Sequence, residues 1–332
     1  MTEAFATTPR EGVTLLGEQD EPAFVALLRA VYGDTYSYRE LYEPGGVAAV
    51  IRSGRAALFG DLGPNGELYS HTAFLLKDVR GDYVESGMSF RGPRARLGTS
   101  DAVIWRHLFA WLKTRTTLVH QNTSTWHALA QRYAERHMRA RPTGIIVDYV
   151  VGERLVGMQQ PETPMQALTM TTIVRPEAMP APSLPRLVPR GLWGEWISGI
   201  LRSMGVAEIA YVDDGPTPAL ALEAFEHNAS IGLSRRVVGA AGASLSEAIH
   251  VAAARTDLVH LPCDARMAVF PVLIDAGFVP VGVRVHASRP DEVVLQRLPE
   301  RGAAIDAVAR ASLIPAAKGL VSDWRAACAR TS

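Results

Sequence analysis

Three arginines and two glycines fall within eleven consecutive residues, Arg91-Gly92-Pro93-Arg94-Ala95-Arg96-Leu97-Gly98-Thr99-Ser100-Asp101. The stretch joins a strand-like run, YVESGMSF, to a helix-like run, AVIWRHLFAWL. A loop that opens a helix leaves backbone N–H groups without intrahelical partners, and the helix dipole adds partial positive charge there, so phosphate or carboxylate is attracted. Arg91, Arg94 and Arg96 would add fork-shaped donors for phosphate oxygens, and Thr99 and Ser100 could bind an oxygen or cap the helix. The same residues also read as a solvated basic turn with Ser100 as N-cap. Spacing alone leaves both readings open.

The elements around this loop must position it. Upstream, GVTLLGE reads as a short strand, and EPAFVALLRAVYG places Phe24, Leu27, Leu28 and Val31 on one helical face. A second helix is expected in PGGVAAVIRSG, then two strands around Gly63-Pro64-Asn65-Gly66, where Asn-Gly accepts the positive φ of a tight turn. Downstream of the loop come a helix from Asp101 to Thr114, a strand TTLVHQ, a helix STWHALAQRYAERHM with Ser124 or Thr125 as N-cap, and a strand TGIIVDYVVG. The pattern predicts an α/β fold with a mixed sheet flanked by helices. A chain of 332 residues suggests two domains. We expect an N-terminal domain over 1–158, a linker over 159–190 with prolines at 176, 180, 182, 185 and 189, and a C-terminal domain over 191–332.

In the C-terminal part we expect a helix GLWGEWISGILRSMG, a strand VAEIAYVDD and a proline-started helix PTPALALEAFEHNA. There follow a strand SIGLSRRVVGA, a helix SLSEAIHVAAARTD, a strand LVHLP, a helix DARMAVFPVLIDAGF, a strand pair VPVGVRVHA and DEVVLQRL, and a helical tail broken near Pro315. Strand, helix, strand, helix, strand thus recurs in both halves, and the second half reads as a structural echo of the first.

Composition narrows the chemistry. Lys+Arg and Asp+Glu are both 34, so no global charge favours nucleic acid or an anionic membrane. The start MTEAFATTPREGVTLLG lacks a basic and then apolar leader, and no apolar run approaches the ~18 to 20 residues of a bilayer span, so a cytoplasmic protein is expected. Cys263 and Cys328 are far apart and outside any CxxC pair, which argues against disulfides and zinc ribbons and for reduced, buried thiols. There is no GxSxG, no GxxxxGK[ST] and no HExxH; no metal is expected. The six tryptophans lie in helical patterns and read as packing.

At RARLGTSDAV, YAERHM and TGIIVDYV the first half resembles the GNAT superfamily of acyl-CoA-dependent N-acyltransferases. Aligned on Arg94, its cofactor loop has Leu97 and Thr99 at the two glycine positions, with Gly98 between them, so the arginines would carry more of the grip. Tyr133 to Met138 falls in the frame of the family's fourth-helix ending, and in the second half Ala276-Gly277-Phe278 and Gly282 fall in the same frame. The resemblance implies two tandem GNAT-like domains, the second degenerate, with Leu273 where Tyr133 stands and no arginine in its helix-opening segment GAAGASLSEA.

The resemblance further implies that acetyl-CoA or another acyl-CoA lies along the fourth strand. Met88, Phe90, Arg91, Arg94, Arg96, Gly98, Thr99 and Ser100 would bind it, and a bulge near Gly87 or Met88 would offer an N–H to the thioester oxygen. Tyr133 would protonate the leaving thiolate; Glu85 is the first candidate base and His120 the second, each with an ordinary structural role as its alternative. The acceptor is expected to be a small-molecule amine, a specialised metabolite, attacked directly in a ternary complex. Two alternatives stay open: a donor carried on an acyl carrier protein, and a noncatalytic module that keeps the fold.

Overall fold

The computed structural model describes residues 12–54, 56–76, 83–95, 101–150, 156–157, 165–179, 186–206, 208–212, 221–228, 233–239, 256–263, 267, 269–287, 290–298 and 300–330. The chain divides into two compact units, one within Met1–Gln121, Gly152–Glu162 and Ile173–Pro176, the other within Asn122–Val151, Thr163–Thr172 and Glu177–Ser332.

In the first unit the strands run in the order β1 (Gly12–Leu15), β2 (Ala56–Leu62), β3 (Leu68–Leu76), β4 (Tyr83–Arg91) and β5 (Leu118–Ser124), the last crossing into the second unit's residues. β1 to β4 pair antiparallel and β4 pairs parallel with β5. The β2–β3 connection is the expected tight turn. Gly63 N–H donates to Glu67 at 2.8 Å and Gly66 adopts φ 72°, which the missing side chain permits.

Helix α1 (Glu21–Tyr32) begins at a proline in its first turn and buries Phe24, Leu27 and Leu28. These meet Leu16, Leu41, Leu58, Ala73 and Phe90 in one apolar cluster. Glu21 also caps α2 (Gly46–Arg52): its carboxylate accepts N–H bonds from Gly45 at 2.7 Å and Ala48 at 2.8 Å. On the opposite sheet face α3 (Asp101–Lys113) packs Trp111 against Phe59 and Phe74, with ring centroids 5.1 and 5.9 Å away. Pleating explains the division, because His71, Ala73 and Leu75 point toward α1 while Thr72 and Phe74 point toward α3.

The second unit contains β6 (Arg141–Val150), β7 (Met165–Ile173), β10 (Ala221–Asn228), β11 (Leu233–Gly239), β12 (Thr256–Pro262), β13 (Phe278–Arg284) and β14 (Glu292–Arg297). Their order is β7-β6-β13-β14-β12-β11-β10, and β8 (Arg186–Pro189) with β9 (Ile209–Val212) forms a separate parallel pair. β6 meets β13 where Gly144 faces Gly282; a Cβ on Gly144 would lie 2.3 Å from the Val281 carbonyl oxygen, so this close approach requires glycine. Gln296 continues the junction by bonding both the N–H and the C=O of Val147, at 2.9 and 2.7 Å.

Helices α4 (Leu129–Met138), α5 (Leu192–Ser203), α6 (Phe270–Asp275), α7 (Arg301–Ala309) and α8 (Pro315–Arg330) belong to the second unit. The tail breaks where expected, since Pro315 starts α8 rather than continuing α7. Trp324, fully buried, donates to the Pro280 carbonyl at 2.7 Å. Pairing signs recur between the units: β10 and β11 are antiparallel and β11 and β12 parallel, as are β3 and β4, then β4 and β5.

Three expectations are corrected. ALEAFEHN, expected within a helix, is strand β10, because its partner β11 supplies a ladder from Gly239 to Leu233 that outweighs local helix propensity. The expected linker 159–190 contains β7, which is buried and pairs with β6, as well as β8; the apolar run MQALTMTTI ahead of the prolines finds a ladder partner and so becomes a strand. Helix α4 starts at Leu129 rather than near Ser124, since β5 runs on to Ser124 and the Thr125 hydroxyl is engaged by the Gln166 carbonyl at 2.8 Å. The helix SLSEAIHVAAARTD lies largely outside the described residues. Among the described residues no helix is long and apolar enough to cross a membrane.

Candidate active site

The chemistry-bearing side chains of the first unit gather on β4 and β5. Glu85 is the register partner of His120 across the parallel pair, and both are buried, at 7% and 3% exposure. Register partners share a face, so the two candidate bases stand side by side. Two residues along the same face, Gly87 carries no side chain, and no described atom lies within 4 Å of where its Cβ would be. A strand glycine bordered by open space fits the close approach of a ligand.

Immediately after Gly87 the ladder slips. Ala73 pairs with Gly87 and His71 with Phe90, so β4 carries an extra residue opposite Thr72. Met88 takes φ 50°, a left-handed conformation that costs a non-glycine residue roughly 1 kcal/mol or more. This is a β-bulge at the position expected from the family resemblance. Two side-chain bonds from β3 bracket it: His71 Nδ1 lies 2.8 Å from the Met88 carbonyl oxygen, and the Thr72 and Ser89 hydroxyls bond each other. On the other side of β4, pairing with β5 ends at Ser86 with Gln121, so the ladder does not continue along Gly87 to Arg91.

Sequence reasoning passed over His71. It is 4% exposed, between the rings of Phe24 at 4.6 Å and Phe90 at 5.0 Å. Burial lowers its pKa from 6.5 to about 3, against the pull of the Met88 carbonyl. The ring is therefore neutral near pH 7, and because a carbonyl can only accept, Nδ1 carries the proton. No pattern in the sequence distinguishes this inward histidine from others on alternating strands.

The remaining candidates divide. Phe90 is a core side chain, 5.6 Å from the Phe24 ring, so only its backbone faces outward chemistry; Met88 packs against the same cluster. Arg91 is exposed at the end of the β3–β4 ladder. Arg94 Nη1 bonds both oxygens of Glu67, at 3.0 and 2.9 Å, with side chains 66% and 42% exposed. Such an exposed pair contributes about 1 kcal/mol or less, so an incoming phosphate can displace it. Arg96, Gly98, Thr99 and Ser100 lie outside the described residues. Tyr133 belongs to the second unit, half-buried on α4, its ring stacked on His137 at 5.6 Å.

No family model and no curated protein matches the chain. Solved structures do. The chain is similar to a spermidine N-acetyltransferase from Vibrio cholerae in complex with CoA and spermine, at 8% identity and TM-score 0.36, covering 48% of this chain and 94% of that one. It is also similar to an N-acetyltransferase from Staphylococcus aureus Mu50, at 11% identity and TM-score 0.39, covering 49% and 98% respectively.

The second unit holds a polar cluster of its own. His260 Nδ1 lies 2.9 Å from Glu292 Oε2, His286 Nε2 lies 3.4 Å from Oε1, and Arg284 is 3.9 Å away. Burial pushes the Glu292 carboxyl up, but hydrogen bonds from His260 and His286 more than offset it and hold the group well below the usual carboxylate range. Next to it Asp291, raised by burial, pairs with Arg186 at 3.1 Å. The tripeptide Leu-Val-His at 118–120 recurs at 258–260, a repeat visible in the sequence. Among the described residues no three His, Cys, Asp or Glu are placed to hold a metal ion. Cys263 and Cys328 are buried, and burial pushes the Cys328 thiol up to about 12, so it is no thiolate nucleophile near neutral pH.

Proposed function

We propose that the chain is a GNAT-type N-acyltransferase, moving an acyl group, acetyl in the first instance, from acyl-CoA to the amine of a small molecule. The observation that carries this reading is the bulge at Met88 beside open Gly87, with Glu85 and His120 paired on the same sheet. In the proposed reaction the acyl-CoA lies along β4 from Gly87 toward Arg91, where the ladder with β5 has ended. The amine attacks the thioester carbon directly, and its proton passes to Glu85, with His120 as its neighbour. The bulge turns a backbone N–H toward the oxyanion of the tetrahedral intermediate, stabilising charge that develops only during reaction. The intermediate collapses by breaking the C–S bond. On the motif alone, the thiolate's proton is assigned to Tyr133.

Within this proposal the second half is a noncatalytic GNAT-like repeat, a reading supported by the recurring pairing signs and the second Leu-Val-His. The protein is proposed to work in the cytoplasm on a specialised-metabolite amine. Leu97 and Thr99 at the loop's two glycine positions favour one second reading, a donor presented by an acyl carrier protein that asks less of the arginine loop. Calorimetric titration with acetyl-CoA and with a longer acyl-CoA tests the main reading. Saturable binding is expected; no binding together with turnover from an acylated carrier selects the second reading, and neither sends both back to a noncatalytic module.

A further inference from the structure

A bulge that serves an oxyanion must be held in one shape, and Met88 is not a residue that adopts a positive φ unaided. We propose that His71 is a positioning residue for the acyl-transfer site: its Nδ1–H holds the Met88 carbonyl and so fixes the peptide groups of the β4 bulge. The inference rests on the acyl-transfer reading.

Four observations support it. The bond is 2.8 Å long and joins the bulged residue to the strand position where the register slips. His71 is clasped by Phe24 and Phe90, ring against ring, so its orientation is set by the α1 core rather than by solvent. Its Nε2 has no hydrogen-bond partner among the described residues, so the ring is committed to one bond, at Nδ1. The Thr72 to Ser89 bond pins the next residue of β4, and the two ties together leave Met88 little freedom. A carbonyl held on one side of a peptide directs the following N–H to the other, which is how a residue remote from the substrate can aim an oxyanion donor. Because the ring stays neutral from mild acid upward, the tie does not depend on pH over the working range.

The test uses two variants. His71→Leu keeps the bulk and removes the donor; His71→Asn keeps a donor where Nδ1 stood. For His71→Leu, with folding verified by melting and near-ultraviolet circular dichroism, kcat is expected to fall roughly 10- to 100-fold, the scale of a mis-set oxyanion donor, while KM for acyl-CoA moves less than about 3-fold. His71→Asn is expected to restore kcat to within about 5-fold of the original, and neither variant is expected to shift the pKa values of the pH–rate profile. A folded His71→Leu with full kcat, or an Asn variant as slow as Leu, overturns the proposal. Amide hydrogen exchange over 83–91 supplies a readout independent of turnover. Faster exchange in Leu but not in Asn supports the tie even if the parent protein transfers no acyl group, an outcome that would sink the acyl-transfer reading alone; unchanged exchange in Leu removes the tie.

Discussion

Two strands of this protein carry the same tripeptide, and the histidine of each lies next to a carboxylate, yet the surroundings differ. His120 on β5 takes its neighbour, Glu85, from the parallel strand β4, two residues from the open space at Gly87. His260 on β12 has Val237 at the corresponding register position of β11 and takes its carboxylate from the other side, from Glu292 on the antiparallel β14. Glu292 is then enclosed by His286 and Arg284, with Asp291 and Arg186 beyond. A carboxylate enclosed by buried histidines and an arginine is held as part of the fold, whereas in the proposed reaction the carboxylate on the strand that bears Gly87 meets the substrate. A histidine's position on a strand thus does not decide its role; the direction from which its partner comes, and what remains open beside it, do.

The comparison breaks most sharply under removal of the two carboxylate charges. Glu85→Gln is expected to lower turnover about 100-fold or more, the scale of a lost general base, with little change in melting temperature. Glu292→Gln is expected to do the reverse. Removing one partner of a buried ionic cluster leaves the others uncompensated and costs on the order of 3 kcal/mol, which denaturant unfolding would register, while turnover per folded molecule holds. If Glu292→Gln abolishes turnover without destabilising and Glu85→Gln does not, the second unit is the active one.

Much of the first unit was legible because local signals and tertiary context agree there. Asn65-Gly66 marked the β2–β3 turn, the 3.6-residue spacing of Phe24, Leu27 and Leu28 marked α1, and the helix from Asp101 ended within one residue of expectation. Where context overrides propensity the reading failed. The Ala- and Leu-rich segment of β10 suits a helix in isolation and becomes a strand because β11 offers a ladder, and β7 was hidden by the prolines that follow it. At the site, Glu85 and His120 were both named but nothing in one sequence could show that they are register partners. His71 was missed for a similar reason. Its function depends on a slipped register, which is a relation between two strands rather than a property of either.

Tyr133 sharpens the contrast at smaller magnitude. In the second half Leu273 stands at the matching helix position, so a phenol with a catalytic task would be confined to the first. Tyr133→Phe keeps the ring that stacks on His137 and removes only the hydroxyl, so stability should change little. Turnover is expected to drop roughly 10-fold, the low side of acid catalysis, with a larger deficit for thioesters whose thiol is less acidic. Unchanged turnover would take Tyr133 out of the mechanism and leave it as a half-buried core residue.

A further expected effect is on stability against pH, and it is carried by the buried ring of His71. His71 has its folded pKa lowered from 6.5 to about 3 by burial, so the unfolded chain binds a proton that the native protein refuses. Its contribution is fully present above pH 6.5 and is lost as the pH falls through the window down to about 3. The slope approaches about 1.4 kcal/mol per pH unit for one such group. The Phe24 and Phe90 rings that face it carry no charge to compensate. His71→Leu should therefore be less stable than the parent at pH 7.5, with the gap narrowing as unfolding is measured at pH 6, 5 and 4. A constant difference between His71→Leu and parent across that range would mean that the native ring does take up a proton, and the neutral tie to Met88 would fall with it.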